Sequence, residues 1–310
     1  MKLVIERSAL LKSLGHVQSV VERRTTIPIL SNVRLDAAKG SLSLNATDMD
    51  LEIVESATAE VSQKGETTAP AHTLYDIVRK LPDGAQVELA FGGEGQLTLS
   101  SGRSRFQLAC LPVDDFPALA SGDFSHTFSL SATDLRSLID RTRFAISTEE
   151  TRYYLNGIYL HGTDSDGVEV LRTVATDGHR LARVELPLPD GAAGMPGIIV
   201  PRKAVAEVRK LIEEAEGDVT VSVSDAKIRF SIGDTILTSR LIDGTFPDYE
   251  RVIPTGNDKV LETDCKMLSK AVDRVSAISS EKSRSIKLNM EKGLVTLSAS
   301  SPENGSAIEE

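Results

Sequence analysis

The chain has 310 residues, 40% hydrophobic and 26% charged, with a formal net charge of −10; this exceeds one ordinary core and fits two or more domains. No apolar run approaches bilayer-spanning length, and two cysteines, Cys110 and Cys265, build no disulfide framework, so a cytoplasmic location without membrane association is expected. Low aromatic content (4%, no Trp) disfavours a base-stacking reader of single strands, and the acidic total argues at face value against phosphate binding.

Along the chain, Glu6 and Arg7 interrupt the apolar N-terminal pattern and no small-residue cleavage site follows, so this segment reads as the start of a fold. Leu10, Leu14, Val17 and Val21 then recur at helical spacing. SLSLNAT from Ser41 alternates as a half-buried strand. Pro70 precedes a second helix carrying Leu74, Ile77, Val78 and Leu81; proline suits a helix start, where its missing donor costs nothing. Gly92-Gly93-Glu94-Gly95 is a hairpin turn and not a phosphate loop, since no helix follows it. The order then recurs. Leu135, Leu138 and Ile139 form a helical face, Pro201 precedes Val205, Val208 and Leu211, and Ser224-Asp225-Ala226-Lys227 makes a turn. Leu268, Val272 and Val275 begin a third round, with VTLSAS from Val295 as its strand.

Short identities support a duplication. Val78-Arg79-Lys80-Leu81 returns at Val208–Leu211 and Phe116-Pro117 at Phe246-Pro247, both 130 residues on; Ala46-Thr47-Asp48 returns 129 residues on at Ala175-Thr176-Asp177. Three matches in one order at nearly one offset indicate a repeated domain. The expected fold is α+β, each domain a pair of helices backed by antiparallel sheets. Boundaries near Gly122-Asp123 and Pro254-Thr255-Gly256 give domains 1–122, 123–254 and 255–310. The third, much shorter than the 130-residue repeat, is expected to be incomplete, its N-terminal half only; a natural half-domain is disfavoured because half of such a sheet would leave an uncovered edge.

Charge is sorted by element. The helical windows 1–24, 72–81, 133–145, 201–211 and 265–284 hold 19 Lys and Arg against 8 Asp and Glu; the rest holds 16 against 37. Lys266, Lys270 and Arg274 form a stripe, as do Arg136, Asp140 and Arg143, off the apolar faces and so directed at solvent. Each helix alone could be an ordinary solvated face. Five together, with an acidic remainder, point to a basic surface that meets duplex DNA through its phosphates without reading sequence.

The chain resembles the bacterial sliding clamps, the beta subunit of DNA polymerase III, from Met1 to Glu310. The resemblance is carried by Thr26–Leu30, Ser101–Phe106, Arg152–Gly157, Thr173–Leu181, Val200–Lys203 and Asp243–Asp248. It implies a non-enzymatic processivity factor without cofactor, three similar domains per subunit, and two subunits closed head to tail into a ring around double-stranded DNA. Implied partners are the clamp loader, the replicative polymerase and other proteins bearing clamp-binding motifs, which gain effective concentration by tethering. The resemblance places a peptide pocket at Leu155, Thr176, Gly178, His179, Arg180, Leu181, Pro247 and Val252, with Tyr154, Arg152 and Arg251 at its rim. An apolar floor with a few polar groups suits a peptide groove. DNA-facing matches are Arg24, Tyr153, Tyr154, Arg202 and Lys203. Arg103, Arg105, Phe106 and Leu108 match one side of the dimer interface, with Ile278 and Glu303 near the other. His72-Thr73 and Glu149 depart from the family and are expected to weaken the local positive field. A protein ending at Glu310 is expected to dimerise poorly.

Two other functional classes compete with this reading. An enzyme would need a metal or nucleophile site; His16, His72, His126, His161 and His179 show no metal spacing, and neither a P-loop nor a Gly-x-Ser-x-Gly occurs. A peptide-binding scaffold that never encircles DNA remains the alternative; it makes the basic helices dispensable.

Overall fold

The amino-acid repeat is reproduced in the strands, apart from β5 of the first repeat, which has no counterpart in the second. In the computed structural model, which describes every residue except 118, 120, 121, 216 and 280–284, the chain opens with β1 (Lys2–Glu6), α1 (Arg7–Val17), β2 (Asn32–Ala38), β3 (Ser41–Thr47) and β4 (Leu51–Thr58). The first repeat continues with β5 (Glu60–Gln63), β6 (Gly65–Pro70), α2 (Ala71–Lys80), β7 (Gln86–Phe91), β8 (Gln96–Ser101) and β9 (Ser104–Ala109). The second has β10 (His126–Ser131), α3 (Ala132–Asp140), β11 (Gly157–Ser165), β12 (Val168–Thr176) and β13 (Leu181–Pro187). It ends with β14 (Ile198–Pro201), α4 (Arg202–Leu211), β15 (Asp218–Val223), β16 (Lys227–Ile232) and β17 (Thr235–Arg240). Both repeats lie in one unit, Met1–Pro247.

Within that unit the two repeats share a topology. β4-β3-β2-β6 matches β13-β12-β11-β14, and β1-β7-β8-β9 matches β10-β15-β16-β17. The repeats are then fused edge to edge: β17 pairs antiparallel with β4, from Thr235↔Glu55 to Ser239↔Leu51, making one sheet of eight strands. Leu237 and Ile53 face each other across the joint, both fully buried. One hydrophobic cluster runs through both repeats, from Leu3 and Leu10 to Phe230 and Leu237.

The helices form where the apolar period places them. α1 buries Leu10, Leu14 and Val17, α2 buries Leu74 and Val78, and α4 buries Val205, Val208 and Leu211; each such side chain contributes about 1.5–3 kcal/mol relative to exposure. Pro70 and Pro201 stand at the N-caps of α2 and α4. α1 packs on α2 and α3 on α4. Ser19 Oγ, just past α1, donates to Glu207 Oε2 on α4 (2.6 Å), so the four helices are linked in the order α2-α1-α4-α3.

Asp248–Glu310 is a separate unit. It has α5 (Cys265–Ser276) against β18 (Lys287–Glu291), β19 (Leu294–Ser301) and β20 (Gly305–Glu309), around a small core of Val275, Leu297 and Ala299. α5 ends at Ser276, and the last five positions of the expected window 265–284 lie outside the described residues. The segment standing where the other repeats open with a strand makes no strand pairing: residues 254–264 carry neither helix nor strand. In the other repeats that opening strand pairs with the strand after the second helix, as β1 does with β7 and β10 with β15, and no strand of that position occurs among the described residues of this unit.

Candidate functional site

The segment Glu150–Leu155 is the hinge of two surfaces. It is a 3-10 turn broken at Arg152, whose φ of −111° and ψ of 51° leave helical geometry and send successive side chains in different directions. Leu155 is buried, Tyr153 is exposed, and Tyr154 is half-buried with its ring edge-on to Tyr153 at 5.8 Å. Gly244 lets this turn lie close, since a Cβ there would stand 3.1 Å from Tyr154 Cβ.

On one side the turn meets α4. The Asn156 carbonyl accepts the Arg202 N–H (3.0 Å), so Tyr153 and Tyr154 neighbour Arg202 and Lys203 in the chain fold. Lys203 Nζ reaches the first repeat, donating to the Val20 carbonyl (3.3 Å) and pairing with Asp48 (2.5 Å) and Glu22 (3.5 Å). Arg24 and Arg202 are exposed and form no ion pair with any described residue. Of the five DNA-facing candidates, Lys203 alone is engaged by acids of its own chain. Lys80 and Arg141, exposed at the ends of α2 and α3, and Arg23, exposed in the loop beyond α1, all without ion pairs among the described residues, were not singled out by sequence; the signal for the first two was simply a cation past the last apolar residue of a helix.

Arg136 corrects an expectation. It does not point to solvent with Asp140 and Arg143 but is half-buried, donating to the Ile212 carbonyl (3.0 Å) at the end of α4. A helix C-terminus leaves carbonyls without partners, and a cation satisfies one while meeting the negative end of the dipole. Arg143 pairs with Asp140 (3.2 Å), which also takes Arg209 (2.8 Å).

On its other side the 150–155 turn meets the β12–β13 loop. Thr176 Oγ1 accepts the Gly178 N–H (3.1 Å) and donates to the Arg180 carbonyl (2.7 Å), and Asp177 Oδ1 accepts the N–H groups of His179 and Arg180 (both 2.9 Å). Arg180 Nε adds a pair to Asp177 Oδ2 (3.0 Å). Burial opposes ionisation of Asp177, but these backbone and guanidinium donors outweigh it and bring the carboxyl to about 2. Gly178 has φ of +87°, and Arg152 Nη1 lies 2.5 Å from where its Cβ would be. Leu155 and Leu181 thus flank a loop whose exposed members are Gly178, His179 and Arg180. Asp177, which shapes this loop, and Phe144, which lies under the Arg180 guanidinium at 5.7 Å, were absent from the sequence-derived set. Pro247 is exposed at the end of its unit, after Phe246, whose ring stacks on Tyr159 at 4.8 Å. Arg251 and Val252 belong to the second unit, where Arg251 pairs with Asp248 (3.1 Å) and Val252 is exposed.

The remaining candidates fall on sheet edges and turns. Arg103 and Arg105 are exposed, Phe106 is half-buried and Leu108 is buried, all on or beside the edge strand β9. In the second unit Ile278 packs on the Val275 cluster, and Glu303 is exposed in the β19–β20 turn. Among the described residues no group of His, Cys, Asp and Glu could hold a metal ion, and no helix is long and apolar enough to cross a membrane.

Three sequence models of the DNA polymerase III beta subunit match in chain order: its N-terminal domain over residues 1–120, its central domain over 129–248 and its C-terminal domain over 250–310. The chain belongs to the bacterial sliding clamp family. The beta sliding clamp of Caulobacter vibrioides is 57% identical over 311 residues, covering all of this chain and 84% of that protein; the Escherichia coli one is 40% identical over 310 residues, covering all of this chain and 83% of that protein. A crystal structure of the Caulobacter crescentus clamp superposes with a TM-score of 0.97 at 57% identity, spanning this whole chain and 82% of that one. The Bartonella birtlesii clamp bound to griselimycin gives 0.96 at 54% identity, spanning the whole chain and 83% of that one.

Proposed function

We propose that this clamp-family chain is a polymerase processivity factor that encircles duplex DNA and tethers replication and repair proteins through the groove beside the β12–β13 loop. The observation that carries the reading is the β17–β4 joint. It is a head-to-tail contact, the last strand of one repeat on an inner-repeat strand of another, and heterologous contacts of this kind generate rings when the rotation closes. In the first repeat the counterpart of β17 is β9, an edge strand with Arg105, Phe106 and Leu108 on it; in the second unit β20 is likewise an edge. Joining β9 of one subunit to the third domain of another, near Ile278 and Glu303, would repeat the same joint and close a homodimeric ring. The scheme takes the domains as 1–122, 123–254 and 255–310.

Arg24, Arg202, Tyr153 and Tyr154, with Lys203 beside them, are the DNA-facing set. Within the first unit the groove set is Arg152, Leu155, Thr176, Gly178, His179, Arg180, Leu181 and Pro247. Topological linkage makes tight phosphate contacts unnecessary, so few unpaired cations suffice. The protein acts without catalysis and in the cytoplasm. The test loads the full-length protein with a clamp loader on nicked circular DNA and then linearises the circle. Release on cutting is expected; protein that stays bound after cutting would be an ordinary binder, and protein that never loads but still takes peptides would be a scaffold.

A further inference from the structure

The groove's rim is electrically compensated by its own chain. Arg152 Nε donates to Glu149 Oε2 (2.9 Å) and Nη2 to Oε1 (2.7 Å), a forked pair using both carboxylate oxygens. The third nitrogen, Nη1, lies against Gly178, where a Cβ would stand 2.5 Å away. Glu149 and Gly178 therefore hold the guanidinium from two sides, folded over the loop. Glu149 is itself fixed: its N–H donates to Ser147 Oγ (3.1 Å), and the Ser147 N–H donates to the Leu155 carbonyl (3.1 Å). The arginine of the pocket itself, Arg180, is matched by Asp177. The Arg152 hydrogen bonds hold the Glu149 carboxyl below its usual range, so the pair is fully charged at neutral pH.

We propose that Glu149 is a positioning and specificity residue of this groove, which keeps Arg152 across the Gly178 turn and competes with acidic side chains of an incoming peptide. The inference rests on the groove being the peptide site. The partner class it favours is a peptide recognised by apolar anchors and carrying no acidic residue at the rim. An acidic residue there must displace Glu149 from Arg152 before it gains a partner, so its attraction is cancelled. Freed from Glu149, the same guanidinium becomes an anion receptor.

The test uses two fluorescein-labelled peptides with the same Leu and Phe anchors, one with Asp and one with Asn beside the anchors, in anisotropy titrations. The intact chain should bind both within about twofold. Glu149→Gln should bind the Asp peptide about three- to fivefold tighter, an exposed charge pair's usual range, with the Asn peptide unchanged. The gain should vanish at high ionic strength and in the Glu149→Gln/Arg152→Gln double variant, while thermal unfolding stays that of the parent. Equal binding of both peptides by Glu149→Gln overturns the role of Glu149 alone. If the parent binds neither peptide, the groove reading falls and this inference with it.

Discussion

Gly178 is where two constraints meet. Its φ of +87° is open to glycine at little cost, and the Arg152 guanidinium occupies the place of a side chain. Gly178→Ala should therefore cost about 1–2 kcal/mol from the backbone alone, read as a lower urea midpoint, and should also loosen the Arg152–Glu149 pair. A midpoint equal to the parent's would mean that the loop is free to rearrange. The exposed members of this loop were legible in the sequence because they stand in one contiguous block, Thr173–Leu181. What supports them was not. Glu149 and Arg152 reach Gly178 only once β11 and β12 are paired, and no local pattern announces that meeting. Lys203 makes the same point from the other side: its residue type suits phosphate, yet Asp48 and Glu22, brought close by the fold, already hold it.

At the level of elements, the helices and the repeat could be read because apolar spacing and a preceding proline are local signals. The fusion of β17 to β4 could not, since a strand's partner depends on which edges remain open after each repeat has folded. That fusion predicts cooperativity. Leu237→Ala removes a fully buried side chain from the joint and should destabilise by about 2–5 kcal/mol, with residues 1–247 still unfolding in one transition by far-UV circular dichroism. Two separated transitions would show that the repeats fold independently. Beside the same joint, His16 Nδ1 lies 2.6 Å from Glu55 on β4, and its Nε2 lies 3.5 Å from Glu214 after α4. Ser13 also donates to Glu55 (3.0 Å), and Lys12 pairs with Glu214 (3.5 Å). The hydrogen bond to Glu55 outweighs burial and the Lys12 charge, so the His16 pKa is raised above 6.5. A raised value means that the folded state holds the proton more tightly. The contribution is complete below the unfolded value and fades as pH climbs through the folded one. Urea midpoints should fall between pH 6 and 8.5 in the parent and change less in His16→Gln; identical pH slopes would remove His16 from the account.

For the molecule as a whole, the tally of helical cations overstates what is free to meet DNA. Arg209 and Arg143 share Asp140, Lys210 pairs with Glu207, Arg79 with Asp76 and Arg7 with Asp83. The sequence exposes the sorting of charge between helices and strands, but its neutralisation within the helical row is a property of packing. A sparse set of unpaired cations suits a protein retained by linkage and not by affinity, and this separates two measurements that ordinary binders tie together. Each phosphate contact contributes about −0.9 to the slope of log affinity against log salt. Arg24→Ala/Arg202→Ala should make that slope shallower by about 2 in direct binding to short linear duplex, and should weaken that binding at low salt. On closed circular DNA the loaded variant should persist as long as the parent, because leaving requires a ring to open and not a contact to break. Retention that falls in step with the linear-duplex affinity would mean that contacts, not closure, keep the protein on its template.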